Sequence, residues 1–144
     1  MSQFIGHMRA SHWLTLLDGN SESDSEFWKV SSQLCTSLPA QIRRNGLALA
    51  VQQNLPKPGK MDADSLAKGF VLHGLCAWLS GGSDRFCLSI IGPAQQQLNA
   101  RNLVLEIIKA DVSTYMRAVE EALLWLEWGK AHLRVKSEAS TDAD

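Results

Sequence analysis

Residues 112–134, VSTYMRAVEEALLWLEWGKAHLR, run without a proline and with a single late glycine, Gly129. Tyr115, Ala118, Ala122, Leu126 and Gly129 recur at three- and four-residue spacing, which places them on one face of a helix. Val119, Leu123, Trp125 and Leu133 widen that face into a broad apolar stripe, so more than one neighbouring element must cover it. Arg117, Glu120, Glu121, Glu127, Lys130 and Arg134 occupy the other side. Arg117 and Glu121 stand one turn apart and can pair. Asp111 or Ser113 can cap the start, and Lys130 with Arg134 suits the negative end of the helix dipole. The segment is predicted to be a core-forming helix with a charged back.

A chain of 144 residues that is 45% hydrophobic and 20% charged fits one globular domain able to bury a core. The longest apolar run, residues 70–79, contains His73 and Gly74 and is too short to span a bilayer. Arg9 and the polar residues around it leave no room for the apolar stretch of a signal peptide. Cys35, Cys76 and Cys87 lie among apolar residues, which predicts reduced, buried thiols in a cytoplasmic protein. The net charge is -1, and the last seven residues hold three acids and no base, so without them 14 bases face 12 acids. Contact with nucleic acid would therefore need a local basic patch and not bulk charge.

The rest of the chain reads as further helices. Residues 1–18 form a short amphipathic helix carrying Ile5, Met8, Trp13, Leu16 and Leu17, and the polar run 19–25 breaks it. Asp24 or Ser25 can cap a second helix to about Leu34, and Pro39 is expected to open a third that reaches about Gln53. Gly46 would fall inside that third helix, where a glycine lets another backbone come close. Arg43 and Arg44 would sit near its positive end, where the dipole gives them no help. Asp62 or Asp64 caps a fourth helix through Leu79, apolar nearly all round and so the most central. Residues 86–91 are a short apolar run without a partner strand, and a fifth helical region is expected over 93–109, with Leu98, Leu105 and Val112 on one line and Leu103 and Ile107 beside it. The predicted fold is an all-α bundle of five to six helices in a single domain, residues 1–136. An acidic, disordered tail is expected over 137–144.

Little in the chain points to catalysis. His73 and Cys76, with Cys87 further on, lack the second ligand pair that a structural zinc site brings. No glycine-rich phosphate loop follows a strand, Asp62 and Asp64 read as helix caps, and adjacent Glu120 and Glu121 point about 100° apart. The remaining chemistry is a set of exposed bases, whose bland reading is a solvated surface.

Two segments, LPAQIRRNGLALA (38–50) and YMRAVEEALLWLEWGK (115–130), together resemble the small subunit of the type III-B CRISPR effector, the Cmr complex. The first resembles that family's leucine–proline, isoleucine, asparagine–glycine–leucine signature. The second resembles its C-terminal signature of tyrosine–arginine, glutamate–alanine–leucine and leucine–x–tryptophan followed by a base. The chain departs from the pattern at Val119 and Glu120, where the family often has threonine, and at Gly129, which replaces one of two bases. The resemblance covers about residues 27–133 and leaves the N-terminal helix with Trp13 unmatched. It implies a small all-α protein without enzymatic activity, metal or cofactor, stacked in several copies beside the backbone and large subunits. There it would help to hold the guide–target RNA duplex, with no membrane contact. Arg43, Arg117 and Lys130 fall within the two segments as candidate RNA contacts. Arg44, Lys68 and Arg134 join them on charge and position. The competing expectations are the small subunit of another type III effector and a helical protein–protein adaptor.

Overall fold

In the computed structural model, residues 2–20, 22, 24–56, 59–80, 90 and 99–143 are described, without the side chains of 2–5 and 140–143. Their elements are six helices in chain order: α1 (Ser2–Asp18), α2 (Ser25–Asn45), α3 (Leu47–Gln53), α4 (Ala63–Ser80), α5 (Ala100–Lys109) and α6 (Val112–Ala143). The all-α expectation holds, with no strand among the described residues.

α2 departs most from the sequence expectation, because it passes straight through Pro39. An interior proline forfeits one backbone hydrogen bond and costs about 3 kcal/mol. Leu34, Leu38 and Ile42, one turn apart, bury a continuous row, with Ser31 and Cys35 buried beside it. Each large side chain in that row contributes about 1.5–3 kcal/mol, so burial outweighs the proline. Asp24 caps the helix by accepting from the Glu26 N–H at 3.0 Å. The break comes instead at Gly46, whose φ of 87° a side chain would disfavour. A Cβ there would also meet the Tyr115 hydroxyl at 3.1 Å, so what comes close at Gly46 is a side chain at a helix end and not the backbone expected inside a helix. Arg43 and Arg44 consequently lie in the last turn of α2, and the dipole favours them where the sequence alone gave it no such role.

α4 is the central helix, as expected. From Val71 to Ser80 every residue except His73 is buried. Asp62 stands just before it, its backbone carbonyl accepting from Leu66 N–H, and a side-chain hydrogen bond with Ser65 chiefly lowers its carboxyl pKa. Asp64 pairs with Lys68 one turn on, at 3.1 Å. α5 opens at Asn99, which accepts from Asn102 N–H at 2.8 Å. Its buried side is Leu103, Val104 and Ile107, the first and last of them expected beside the apolar line, whereas Leu105 and Val112 of the line itself are exposed. Residues 91–98, and nearly all of the 86–91 run, lie outside the described residues; Ile90 N–H reaches the Leu79 carbonyl at 2.8 Å.

α6 carries the predicted face inward: Ala118, Ala122, Trp125, Leu126 and Leu133 are fully buried. Asp111 is its cap, accepting from Thr114 N–H at 2.7 Å. The helix then continues through Ala143, across the residues expected to form a disordered tail. No proline or glycine follows Gly129, and Arg134 pairs with Glu138 at 3.4 Å along the same turn. Lys130 and Arg134 are thus mid-helix side chains and not charges at the dipole's end. α2 lies antiparallel to α6: the Tyr115 hydroxyl accepts from Leu47 N–H, and Lys136 stands 5.2 Å over the Trp28 ring.

Candidate nucleic-acid interface

The interior between α1, α4 and α6 holds a polar network that closes on itself. Glu121 does not pair with Arg117 but accepts from Arg9 of α1 at 2.5 and 2.9 Å. It also accepts from the Trp78 indole of α4 at 3.1 Å. One turn further, Trp13 stacks on Trp125 at 4.2 Å and donates to the Trp125 carbonyl at 2.8 Å. The Trp125 indole in turn donates to His12 Nδ1 at 2.9 Å, which leaves the ring proton on Nε2. Gly129 is small because Trp13 lies where its Cβ would be. These groups join helices and are shielded from solvent, so they hold the bundle together.

The groups that the sequence offered for metal or acid–base work are not gathered among the described residues. Burial pushes the Cys76 thiol up to about 12, and Cys35 is raised further for the same reason. His73 is exposed three residues away from Cys76, and Cys87 lies outside the described residues. Among the described residues no three His, Cys, Asp or Glu side chains gather as a metal site would require. Glu120 is exposed while its neighbour Glu121 is buried against Arg9, so the two do not share a space.

The six candidate bases fall into three places. Arg43 and Arg44 are exposed at the end of α2, and Arg43 lines a groove with Ile42, Tyr115, Met116, Val119, Glu120 and Leu123. At 100° per residue, Lys130 and Arg134 sit within about 40° of each other on α6, on the side that also carries Met116 and Glu120. Arg43, Lys130 and Arg134 therefore share one flank of the long helix: Lys130 and Arg134 stand about 6 Å apart along its axis, and Val119, in the groove that Arg43 lines, lies about 16 Å before Lys130, with Glu120 and Glu127 on the same flank. Arg117 is exposed about 140° round from Lys130 and does not join that flank. Lys68 is held by Asp64 in a separate depression with Val30, Gln33 and Asn54. Arg9 escapes sequence reasoning as a structural residue because its partner is 112 positions away, and no local pattern announces such a pair.

The CRISPR-associated protein family Cas_Cmr5 has a family model that matches residues 9–133. The chain belongs to that family. It is accordingly a subunit of a CRISPR Cmr complex. No curated protein matches the chain. The matched span starts at Arg9, so the second half of α1, with Trp13, is part of the family domain and not the unmatched addition expected from the two signatures alone. It ends at Leu133, the last fully buried residue of α6. The family match and the buried core of this Cmr subunit thus end at the same residue, and the last ten residues of α6 lie beyond both. No described helix of the subunit is long and apolar enough to cross a membrane.

Proposed function

We propose that this Cmr subunit is the non-catalytic small subunit of the type III-B effector, stacking in several copies along the complex in the cytoplasm. In this reading it lies beside the backbone and large subunits and steadies the guide–target RNA duplex while other subunits carry the chemistry. The observation that carries the reading is the family match over residues 9–133, joined to a flank of α6 where Arg43, Lys130 and Arg134 are all exposed. RNA-guided recognition leaves sequence to base pairing, so a protein that holds the duplex needs exposed bases and shape and no pocket. Arg43 and Lys130, which form no ion pair among the described residues, support the reading best; Arg44 sits beside Arg43. Arg117 and Lys68 support it least, one facing elsewhere and the other already paired.

The test is purification of the tagged subunit from cells that carry the other effector genes, followed by sequencing of the bound RNA. Recovery of backbone and large subunits with a short CRISPR RNA is the expected result. Recovery of protein partners without any RNA-bearing complex would favour the adaptor reading.

A further inference from the structure

Ser31 and Asn54 each keep a polar atom without a partner among the described residues, in different surroundings. The Ser31 hydroxyl of α2 is fully enclosed and makes no hydrogen bond. Asn54, which caps the end of α3, is 7% exposed. Both of its amide protons are taken, one by the Gln41 Oε1 at 2.7 Å and one by the Ala50 carbonyl at 2.8 Å. Its Oδ1 accepts from no described group, yet it is not sealed in as the Ser31 oxygen is. It is the atom left to face a depression of about 190 Å³, walled by Val30, Gln33, Leu34 and Ser37 of α2 and by Asp64 and Lys68 of α4. An acceptor that the fold fixes in place, buries and leaves unpaired is costly unless something donates to it.

We propose that this depression receives an arginine side chain from a partner protein. Two acceptors line it, and the chain's own cation serves one of them: Lys68 reaches Asp64 at 3.1 Å and makes no bond to Asn54. An ammonium is a compact point charge, whereas a guanidinium spreads its N–H groups in a flat fork and can serve an amide oxygen and a carboxylate together. The Asp64 side chain is 55% exposed, so exchanging Lys68 for a better-fitting cation costs little. Val30 and Leu34 offer the methylenes of an arginine an apolar wall. The space suits a guanidinium with the methylenes beside it, and Asp64 at the rim repels a phosphate. No residue of α6 lines the depression, so the site is independent of the flank assigned to RNA.

The test is a titration of the isotope-labelled full chain with acetyl-arginine amide, read by NMR at the Asn54 side-chain amide. Acetyl-lysine amide and inorganic phosphate are the comparison probes. The expected result is saturable binding of the arginine probe and of neither other. Asp64→Asn should weaken that binding about tenfold, the loss of one charge-assisted hydrogen bond. Lys68→Ala should strengthen it about threefold by releasing Asp64. Neither residue belongs to the buried core, and melting curves check that both variants fold. Absence of saturation, or equal binding of the lysine probe, would overturn the proposal. Phosphate binding that Lys68→Ala abolishes would overturn it as well, and would return Lys68 to the RNA contacts. In the assembled complex, Asp64→Asn should loosen one protein component while the RNA stays bound. A complex that keeps every protein at its usual yield would overturn a partner protein as the source of the arginine.

Discussion

Arg9 with Glu121 and Arg134 with Glu138 are the same chemical pair in two settings on one helix. In the first, both side chains are 11% exposed, and the guanidinium reaches the carboxylate through two hydrogen bonds. In the second, they are 77% and 66% exposed and meet through one bond at 3.4 Å. Burial makes the first pair costly to break, since either partner left alone is a charge with little water around it. Exposure makes the second nearly neutral to folding and free to exchange its partner for a phosphate. The inner flank of α6, facing α1 and α4, specifies how the bundle is assembled. Its outer flank, with Arg43, Lys130 and Arg134, is available for another molecule.

The sharpest way to break this contrast is on the inner side. Trp13→Ala removes the ring stacked on Trp125 and its bond to the Trp125 carbonyl, and should cost about 4 kcal/mol in denaturant melts. A loss below about 1 kcal/mol would mean that α1 contributes little to the folded state. Glu121→Ala should cost about 3 kcal/mol, because Arg9 and the Trp78 indole both lose their acceptor. Combining it with Arg9→Met should recover a good part of that loss, and the coupling energy of the cycle measures the buried pair. Arg134→Ala should change stability by less than about 0.5 kcal/mol, with Glu138→Ala alike and little coupling between them. Equal coupling energies for the two pairs would erase the distinction between the flanks.

Much of the outer helix could be read directly. The three- and four-residue spacing of Ala118, Ala122, Leu126 and Leu133 set the buried face of α6, because an apolar stripe on a helix has only one way to avoid water. Pro39 misled, since local propensity argues for a helix start there while the row from Leu34 to Ile42 argues for continuity, and burial is the larger quantity. Gly46 was half legible: a crowded position was expected there, but the neighbour is the Tyr115 hydroxyl and not a backbone, and its positive φ follows from a turn that only the packing of α2 against α6 defines. Arg9 and His12 were not legible at all, as their partners lie more than a hundred residues away and make no periodic pattern. Of the six candidate bases, charge alone could name them but could not sort Arg43, Lys130 and Arg134 from Lys68, already paired, and Arg117, on another side.

The most direct measurement of that sorting is the salt dependence of target-RNA binding by the assembled complex. Replacing Arg43, Lys130 and Arg134 with alanine should weaken binding and flatten the plot of log K against log salt by about 0.7–0.9 for each phosphate no longer neutralised, per copy engaged. The pair Arg117→Ala and Lys68→Ala should leave the slope where it was. An unchanged slope in the first variant, or an equal change in the second, would contradict the assignment of the outer flank of α6 to RNA.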